Sequence, residues 1–308
     1  MYRNPVAALR AEHAAICLRH YLGLEKDDVI SRAAVLGTGW NELVNMPELA
    51  VPFTDLPSFQ GLGELAGHRR RIGVRRAKDG TLELLVFGRV HLNESCDPSD
   101  GIPQKVRLMV EMLCHPVIDI KELVLTAAVG GLNDDRIKAG DAAIVNALFT
   151  KFAPDMPMYA GEFRQPTASL DLAMRVLAHE ALPAGLTCHD ATHCMMRGPF
   201  FESLEDKKAC KHEVELIHPT ALGVISMSCL PELCIASLYD VKTMILCFVT
   251  NGMDEVHSHE TNQQRANEKK LLLSAWLENV MEKLARRNMP AEKRDDREAL
   301  DRSLTVTD

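Results

Sequence analysis

The sequence predicts an α/β fold in which helices flank a central sheet and a pocket forms along one edge of that sheet, and three observations carry the prediction. Short apolar runs of strand length alternate with longer amphipathic stretches through most of the chain. Three of the apolar runs place a polar group near their ends: Glu202 within residues 197–203, Ser228 within residues 227–232, and Asn251 directly after residues 241–250. Ligands of open α/β sheets gather at the carboxyl ends of strands, because strand-to-helix loops leave backbone donors and side chains free to converge there. Finally, 308 residues that are 46% hydrophobic and 25% charged are long and apolar enough to bury a sizeable core.

The elements follow in order. Residues 5–24 carry apolar side chains at helical spacing and reach Gly23, which marks a helix end. Residues 32–36 form a core strand that stops at Gly37-Thr38-Gly39-Trp40, and residues 82–87 form another that stops at Gly88-Arg89-Val90-His91. The basic stretch 68–76 between them alternates charged and apolar residues, the pattern of a solvated strand or hairpin with most of its arginines in water. A helix from about 103 to 114 leads to a strand at 123–126 and then to residues 127–133, where the pair Gly130-Gly131 permits close backbone approach. Residues 140–148 add a strand, and the irregular stretch 149–169, with three prolines, reads as a functional flap.

The alternation continues with a helix at 170–181, a strand at 193–196, a helix at 204–215 and strands at 222–227 and 242–249. A long amphipathic helix from about 264 to 287 closes the series. Residues 288–308 are charged and poor in large apolar side chains, so a disordered tail is expected beyond a single domain spanning residues 1–287.

Composition excludes several classes. A formal net charge of −8 and an isoelectric point near 5.9 argue against a protein that coats nucleic acid, whose phosphates reward a basic face. No apolar run reaches the roughly 18 residues of a membrane span, and the first ten residues lack the basic start and apolar core of a secretory signal. Nine scattered cysteines with no CxxC pair fit a reducing, cytoplasmic setting better than a disulfide framework. A small-molecule substrate is the expectation, with no nucleic acid and no membrane partner.

Two chemically distinct groups emerge at the strand ends. Thr38, Arg89, His91, Ser228 and the backbone around Ala128 offer hydroxyls, a guanidinium, an imidazole and amides, a set suited to an oxyanion. Singly, a Gly-Thr-Gly after a strand is a turn and Arg89 a surface ion pair; agreement among several strand ends is what points to a site. Phe201, Met227 and Val249 are apolar, with Glu202 and Asn251 lodged beside them. That mixture can sandwich a flat heterocycle, since the carboxylate accepts from ring N–H or NH₂ groups and the amide both donates and accepts. The plain alternatives are core packing for Phe201 and Met227 and a helix N-terminal carboxylate for Glu202.

With these residues in place, the chain resembles the purine nucleoside phosphorylase family of the trimeric, 6-oxopurine-preferring type. The resemblance covers roughly residues 5–287 and rests on LGTG at 36–39, GRVH at 88–91 with Glu94, TAAVGGLN at 126–133, GPFFES at 198–203, MSCLPE at 227–232 and VTN at 249–251. It implies a single catalytic domain with a central mixed, twisted β-sheet flanked by helices. The implied reaction is reversible phosphorolysis of inosine- or guanosine-like nucleosides to free base and pentose 1-phosphate, as in purine salvage. Phosphate is then a co-substrate, and neither cofactor nor metal is required.

Residue by residue, the resemblance assigns phosphate binding to Thr38, His68, Arg89, His91, Ala128 and Ser228. It assigns purine and ribose binding to Phe201, Glu202, Met227 and Asn251, with Asn251, His91 and Glu202 as the catalytic set. Phe163 matches the aromatic that reaches into a neighbouring subunit's site, which implies a homotrimer.

Departures from the family pattern centre on the sugar. Asn93 stands where an aromatic is usual, Ser95-Cys96 follows Glu94, Ala127 replaces an asparagine, Phe200 replaces a small polar residue, and Glu268 takes the register of a histidine that meets the sugar 5′-hydroxyl. Those changes leave a 5′-methylthio-nucleoside phosphorylase and a catalytically impaired purine-binding paralogue as alternatives. A dinucleotide-binding oxidoreductase fits poorly, because Gly37-Thr38-Gly39 lacks the third glycine and no acidic residue ends a second strand at the usual distance. His189, His193 and Cys194, or His257 and His259, offer metal-ligand types without a full set, and these histidines are read as solvent-facing. Nothing in the sequence identifies an activating base for Cys229 or any other cysteine.

Overall fold

Among the described residues, nine strands join in one mixed sheet. The computed structural model describes residues 4–288 apart from 66, 95–98, 100, 134, 160, 256 and 257. The expected tail after residue 288 and the Ser95-Cys96 departure therefore lie outside the described residues. Helix α1, Pro5–Tyr21, starts where the Asn4 side chain accepts from the Val6 and Ala7 N–H groups at 3.0 and 3.1 Å, with Pro5 in the first turn. Strands β1 (Ile30–Leu36), β4 (Leu82–Phe87), β5 (Glu122–Gly131) and β9 (Lys242–Asn251) run parallel to one another through the middle of the sheet.

These strands are almost entirely buried, as expected where both faces are covered. Period-two alternation divides their side chains between two cores. Ala33, Val35, Leu84, Val86, Leu123 and Leu125 pack with α1, α2 (Ile102–Cys114) and α5 (Leu230–Ser237). Ala34, Leu85, Phe87 and Val124 pack on the other face with α3 (Leu172–Glu180) and α7 (Lys270–Arg287).

β2 (Ala50–Pro52) and β3 (Arg71–Arg76) extend the sheet beyond β4 in antiparallel pairing. On the other side β5, β8 (Gly223–Ser226), β7 (Cys188–Met195), β6 (Ala142–Phe149) and β9 close a ring, because β9 pairs back onto β5. β5 therefore serves two partners in succession on one side. β1 pairs with its first half, Arg32↔Glu122 through Val35↔Leu125, whereas β8 pairs with Gly130 and Gly131. Between those pairings the Thr126 and Ala127 carbonyls are taken by side chains, Arg89 Nη2 at 2.8 Å and Trp40 Nε1 at 3.1 Å. This parting of the sheet is a topological switch point, the place where α/β folds bind ligands.

Several expectations need correction. The strand foreseen at 123–126 continues to Gly131, since the two glycines remain extended between β8 and β9. The basic stretch is not broadly solvated: β3 lies inside the sheet, Arg70 is buried against Glu94, and Arg75 pairs with Glu83 and Glu278. The closing helix is two, α6 (His259–Glu268) and α7, broken at Lys269, whose φ of −102° and ψ of 9° leave the helical region. α5, not foreseen, is only eight residues long, with Pro231 in its first turn. Cys194 is buried in β7 beside His193, which is 1% exposed, so neither faces solvent. His189 is half-buried and meets Asp141 at 3.0 Å. His257 and the side chain of His259 lie outside the described residues. No helix of the described residues is long and apolar enough to cross a membrane.

Candidate active site

A cavity of about 620 Å³ opens at the parting of β1 from β8. Ala128, the one half-buried residue of β5, faces it where the neighbouring strand residues are covered. Thr38 follows β1, Arg89 and His91 follow β4, Ser228 follows β8, and Asn251 ends β9, so four strand ends converge on one space. His68, Phe201, Glu202 and Met227 also border it.

Thr38, His68, Arg89 and His91 form one linked cluster. His68 Nδ1 accepts the Arg89 backbone N–H at 3.2 Å, which places the ring proton on Nε2, 3.3 Å from the Thr38 hydroxyl. Thr38 Oγ then accepts from His68 and keeps its own O–H to donate into the cavity. The His91 ring meets the His68 ring edge-on at 4.9 Å, and its backbone N–H donates to Glu94 Oε1 at 2.7 Å. Burial alone would raise the Glu94 pKa, but the His91 donors and the Arg70 guanidinium hold that carboxyl below the ordinary range. Arg70 in turn donates to the Gly63 carbonyl, so the loop over this end of the cavity is tied to Glu94.

Arg89 is 1% exposed and ion-paired, at 2.9 Å, with Glu232 in the first turn of α5. Desolvation opposes its charge, yet Glu232 beside it keeps its pKa above the ordinary arginine value. The sequence reading did not single out Glu232, because its partner Arg89 lies far away in the chain and only the fold brings the two together. Cys229 packs below, its thiol pushed up to about 12 by burial and so unreactive as a nucleophile. Its φ of 71° is a strained value for a side-chain-bearing residue and turns the chain sharply between Ser228 and α5. Ser226 supports that turn by accepting the Ser228 N–H at 3.2 Å while its hydroxyl meets His193 Nε2 at 2.8 Å. Desolvation, with Arg89 nearby, takes the His193 pKa down to about 4, so this buried imidazole stays neutral at physiological pH.

The second cluster lies over Gly130. A Cβ on Gly130 would stand 2.8 Å from Glu202 Oε1 and 3.1 Å from Asn251 Nδ2, so glycine is required for both side chains to approach the strand. Asn251 is 1% exposed; its Oδ1 meets the Thr250 hydroxyl at 3.1 Å, while its Nδ2 lies beside the Glu202 carboxylate, whose ionised form it favours. Burial raises the Glu202 pKa. Glu202 is followed by Ser203, which caps α4 (Leu204–Ile217) through a reciprocal capping box with Asp206. That box holds the loop bearing Glu202, and it makes Ser203 rather than Glu202 the capping residue. Asn93 Nδ2 approaches Met227 Sδ at 3.8 Å, and a Cβ on Gly198 would lie 2.6 Å from each of those atoms, at a φ of 67° that itself favours glycine.

Two residues stand apart from the cavity. Phe163 is 89% exposed and does not border it. The exposed Glu268 faces a separate shallow depression shared with Thr38, Gln264 and Asn267, away from the space that Asn251 borders. Conversely, Asn262 of α6 borders the main cavity and was not foreseen, because its stretch carries no apolar run to mark an inward face. Among the described residues no three potential ligands gather to hold a metal.

The two clusters are spaced along one strand. Arg89 is hydrogen-bonded at Thr126 while Glu202 and Asn251 sit over Gly130, four residues on, roughly 13 Å apart at about 3.3 Å per residue. Donor groups for an anion and a carboxylate–amide pair for a polar heterocycle thus share a single pocket, the arrangement of a group-transfer enzyme that brings two ligands together.

The comparisons agree with that class. The model of the phosphorylase superfamily matches residues 32–282, and the chain belongs to that superfamily. Among solved structures, purine nucleoside phosphorylase of Schistosoma mansoni in complex with adenosine is 20% identical, with a TM-score of 0.70 over 90% of this chain and 97% of that one. Isoform 2 of the same organism's enzyme, in complex with cytosine and ribose-1-phosphate, is 19% identical, with a TM-score of 0.71 over 94% and 100%. The inosine complex is 19% identical, with a TM-score of 0.68 over 89% and 96%. These likenesses establish the fold. No curated protein sequence matches the chain.

Proposed function

We propose that this protein catalyses the reversible phosphorolysis of inosine- or guanosine-like purine nucleosides, yielding free purine and pentose 1-phosphate, in cytoplasmic purine salvage. The observation that carries the reading is the pair of clusters in one cavity, with Thr38, His68, Arg89, His91, Ala128 and Ser228 along the anion side and Glu202 and Asn251 over Gly130. Phosphate is taken by hydroxyl, guanidinium and amide donors, and Glu232 moderates the positive charge of Arg89 so that hydrogen-bond geometry, more than net charge, holds the anion. Phe201 and Met227 flank the base.

In the reaction a phosphate oxygen forms a bond to C1′ as the bond from C1′ to the purine nitrogen breaks. The electron pair leaves with the base, positive charge develops on the sugar and negative charge on the purine. Asn251 Nδ2, a buried donor beside Glu202, stabilises that charge at the N7 edge. Glu202 accepts from the N1 edge and so favours a base that carries a proton there. His91 lies where it can hold the attacking phosphate, its ring Nδ1 turned to Glu94 Oε1 at 3.7 Å. Phe163, exposed on the surface, is suited to enter the site of a neighbouring copy in a homotrimer.

The test is release of free base from inosine, guanosine, adenosine and methylthioinosine, each with and without inorganic phosphate. Phosphate-dependent release from the oxopurine nucleosides is expected. Preference for methylthioinosine would move the assignment to the methylthio class, and no release from any of them would overturn it.

A further inference from the structure

Helix α6 borders the cavity through Asn262, and its attachments show where. Arg265 donates to the Thr250 carbonyl and pairs with Glu255, while Ala266 packs so tightly on Gly39 that a Cβ there would lie 2.7 Å from the Ala266 Cβ. The helix is thus anchored both to the residue preceding Asn251 and to the residue following Thr38, on the side of the pocket that Asn262 borders. Asn262 lies one turn before Ala266 on the same helical face. It is 7% exposed, it borders the cavity, and its Oδ1 is sealed from solvent with no hydrogen-bond partner among the described residues. The helix start does not need it, since Ser258 and Thr261 complete the capping box. An amide oxygen buried without a donor destabilises the empty protein, so its retention calls for a donor that arrives with a ligand.

We infer that Asn262 is the specificity residue that accepts a hydrogen bond from one hydroxyl group of the pentose. The inference rests on the purine nucleoside reading: with the base over Gly130 and the anion at Thr38 and Arg89, the part of the ligand under α6 is the sugar, whose donors are its hydroxyls. A site built to pair a hydroxyl discriminates against the analogue lacking it, because the acceptor is then left bare. Asn262 therefore selects hydroxylated over deoxygenated sugar at the carbon it faces.

The experiment measures kcat/KM for base release by the wild-type protein and by Asn262→Ala and Asn262→Asp on inosine and its 2′-deoxy, 3′-deoxy and 5′-deoxy analogues, together with thermal melting of each protein without ligand. Asn262→Ala is expected to lose roughly 10- to 100-fold on inosine and on two of the analogues. On the third, wild type and Asn262→Ala should perform alike, because the partner hydroxyl is already gone, and Asn262→Asp should recover part of the loss on inosine. Melting of the empty Asn262→Ala protein should be unchanged or raised. Equal loss on all four nucleosides with a lowered melting temperature would make Asn262 a structural residue, and no loss on any would equally overturn the inference. Should the wild-type protein release no base, the phosphorylase reading fails first; calorimetric titration of the four nucleosides into both proteins then applies the same criterion to affinity.

Discussion

At the edge of the sheet where β1, β4 and β5 begin, Arg32 is fully buried with Asp79 at 2.6 Å, Glu122 at 3.5 Å and Glu83 at 3.6 Å. Arg75 shares Glu83, and Arg287 from the end of α7 shares Glu122. Each buried charge at this edge has a counter-charge within the chain. At the opposite edge, where the same strands end, the polar groups are as deeply buried but not all are matched: Asn262 Oδ1 has no hydrogen-bond partner among the described residues, Asn251 Nδ2 leans on Glu202, and burial disfavours the ionised form of that carboxyl. One edge uses polarity to join strands and a distant helix, and the other holds it in reserve. Burial of a polar group is therefore no guide to function by itself; the guide is whether its partner belongs to the chain.

Four substitutions test the contrast. Arg32→Met should have the largest effect, since it leaves Asp79, Glu83 and Glu122 without their shared cation. Breaking a buried ion pair from one side costs about 3–5 kcal/mol, which a urea midpoint would register, with activity per folded molecule unchanged. A near-normal midpoint would show that this edge is no more a scaffold than the other. Asn251→Ala should do the reverse. Loss of one preorganised donor lowers turnover about 10²–10³-fold, with KM for nucleoside little altered and the urea midpoint within experimental scatter. Steady-state kinetics on inosine decides it, and loss confined to KM would reassign Asn251 to binding.

Gly130→Ala probes the approach of the two reserved groups to the strand. The added methyl would meet both Glu202 and Asn251, so a fall in kcat/KM of about tenfold or more is expected, one decade corresponding to 1.4 kcal/mol. Wild-type kinetics in this variant would mean that Glu202 and Asn251 need not sit where they do.

The smallest effect is on stability in Glu202→Gln. Because burial raises the folded-state pKa of Glu202, the folded protein binds that proton more tightly than the unfolded chain does. The carboxyl is favourable to folding below its unfolded pKa and that advantage is lost as pH rises through the folded value, so at neutral pH the ionised group is a cost. Glu202→Gln should therefore be slightly more stable than wild type at pH 7, converge with it in acid, and be less active throughout. Denaturation at the two pH values checks the sign; a variant less stable at pH 7 would contradict it.

The strands before Thr38, Arg89, Ser228 and Asn251 were legible because each is a short apolar run ended by a glycine or a polar residue, and the periodicity of a buried strand survives in a single sequence. Helices α2, α3 and α4 were legible for the matching reason. β2 was not, having only three residues and owing its place to pairing with β3. The continuation of β5 through Gly130 and Gly131 was hidden as well, since glycine reads locally as a breaker and becomes a strand residue only when neighbours on both sides supply hydrogen bonds.

By itself, then, the order of residues determined the alternation of helices and strands, the two chemical sets at the strand ends, and the absence of a dinucleotide-binding glycine pattern. Each of these depends on neighbours a few residues apart. Tertiary structure alone decided that β5 would serve β1 and β8 in turn, that Glu232 would neutralise Arg89, that His193 would lie neutral beneath Ser226, and that Asn262 rather than Glu268 would face the cavity. Those pairings join residues far apart in the chain, and their partners are chosen by the packing of the whole sheet.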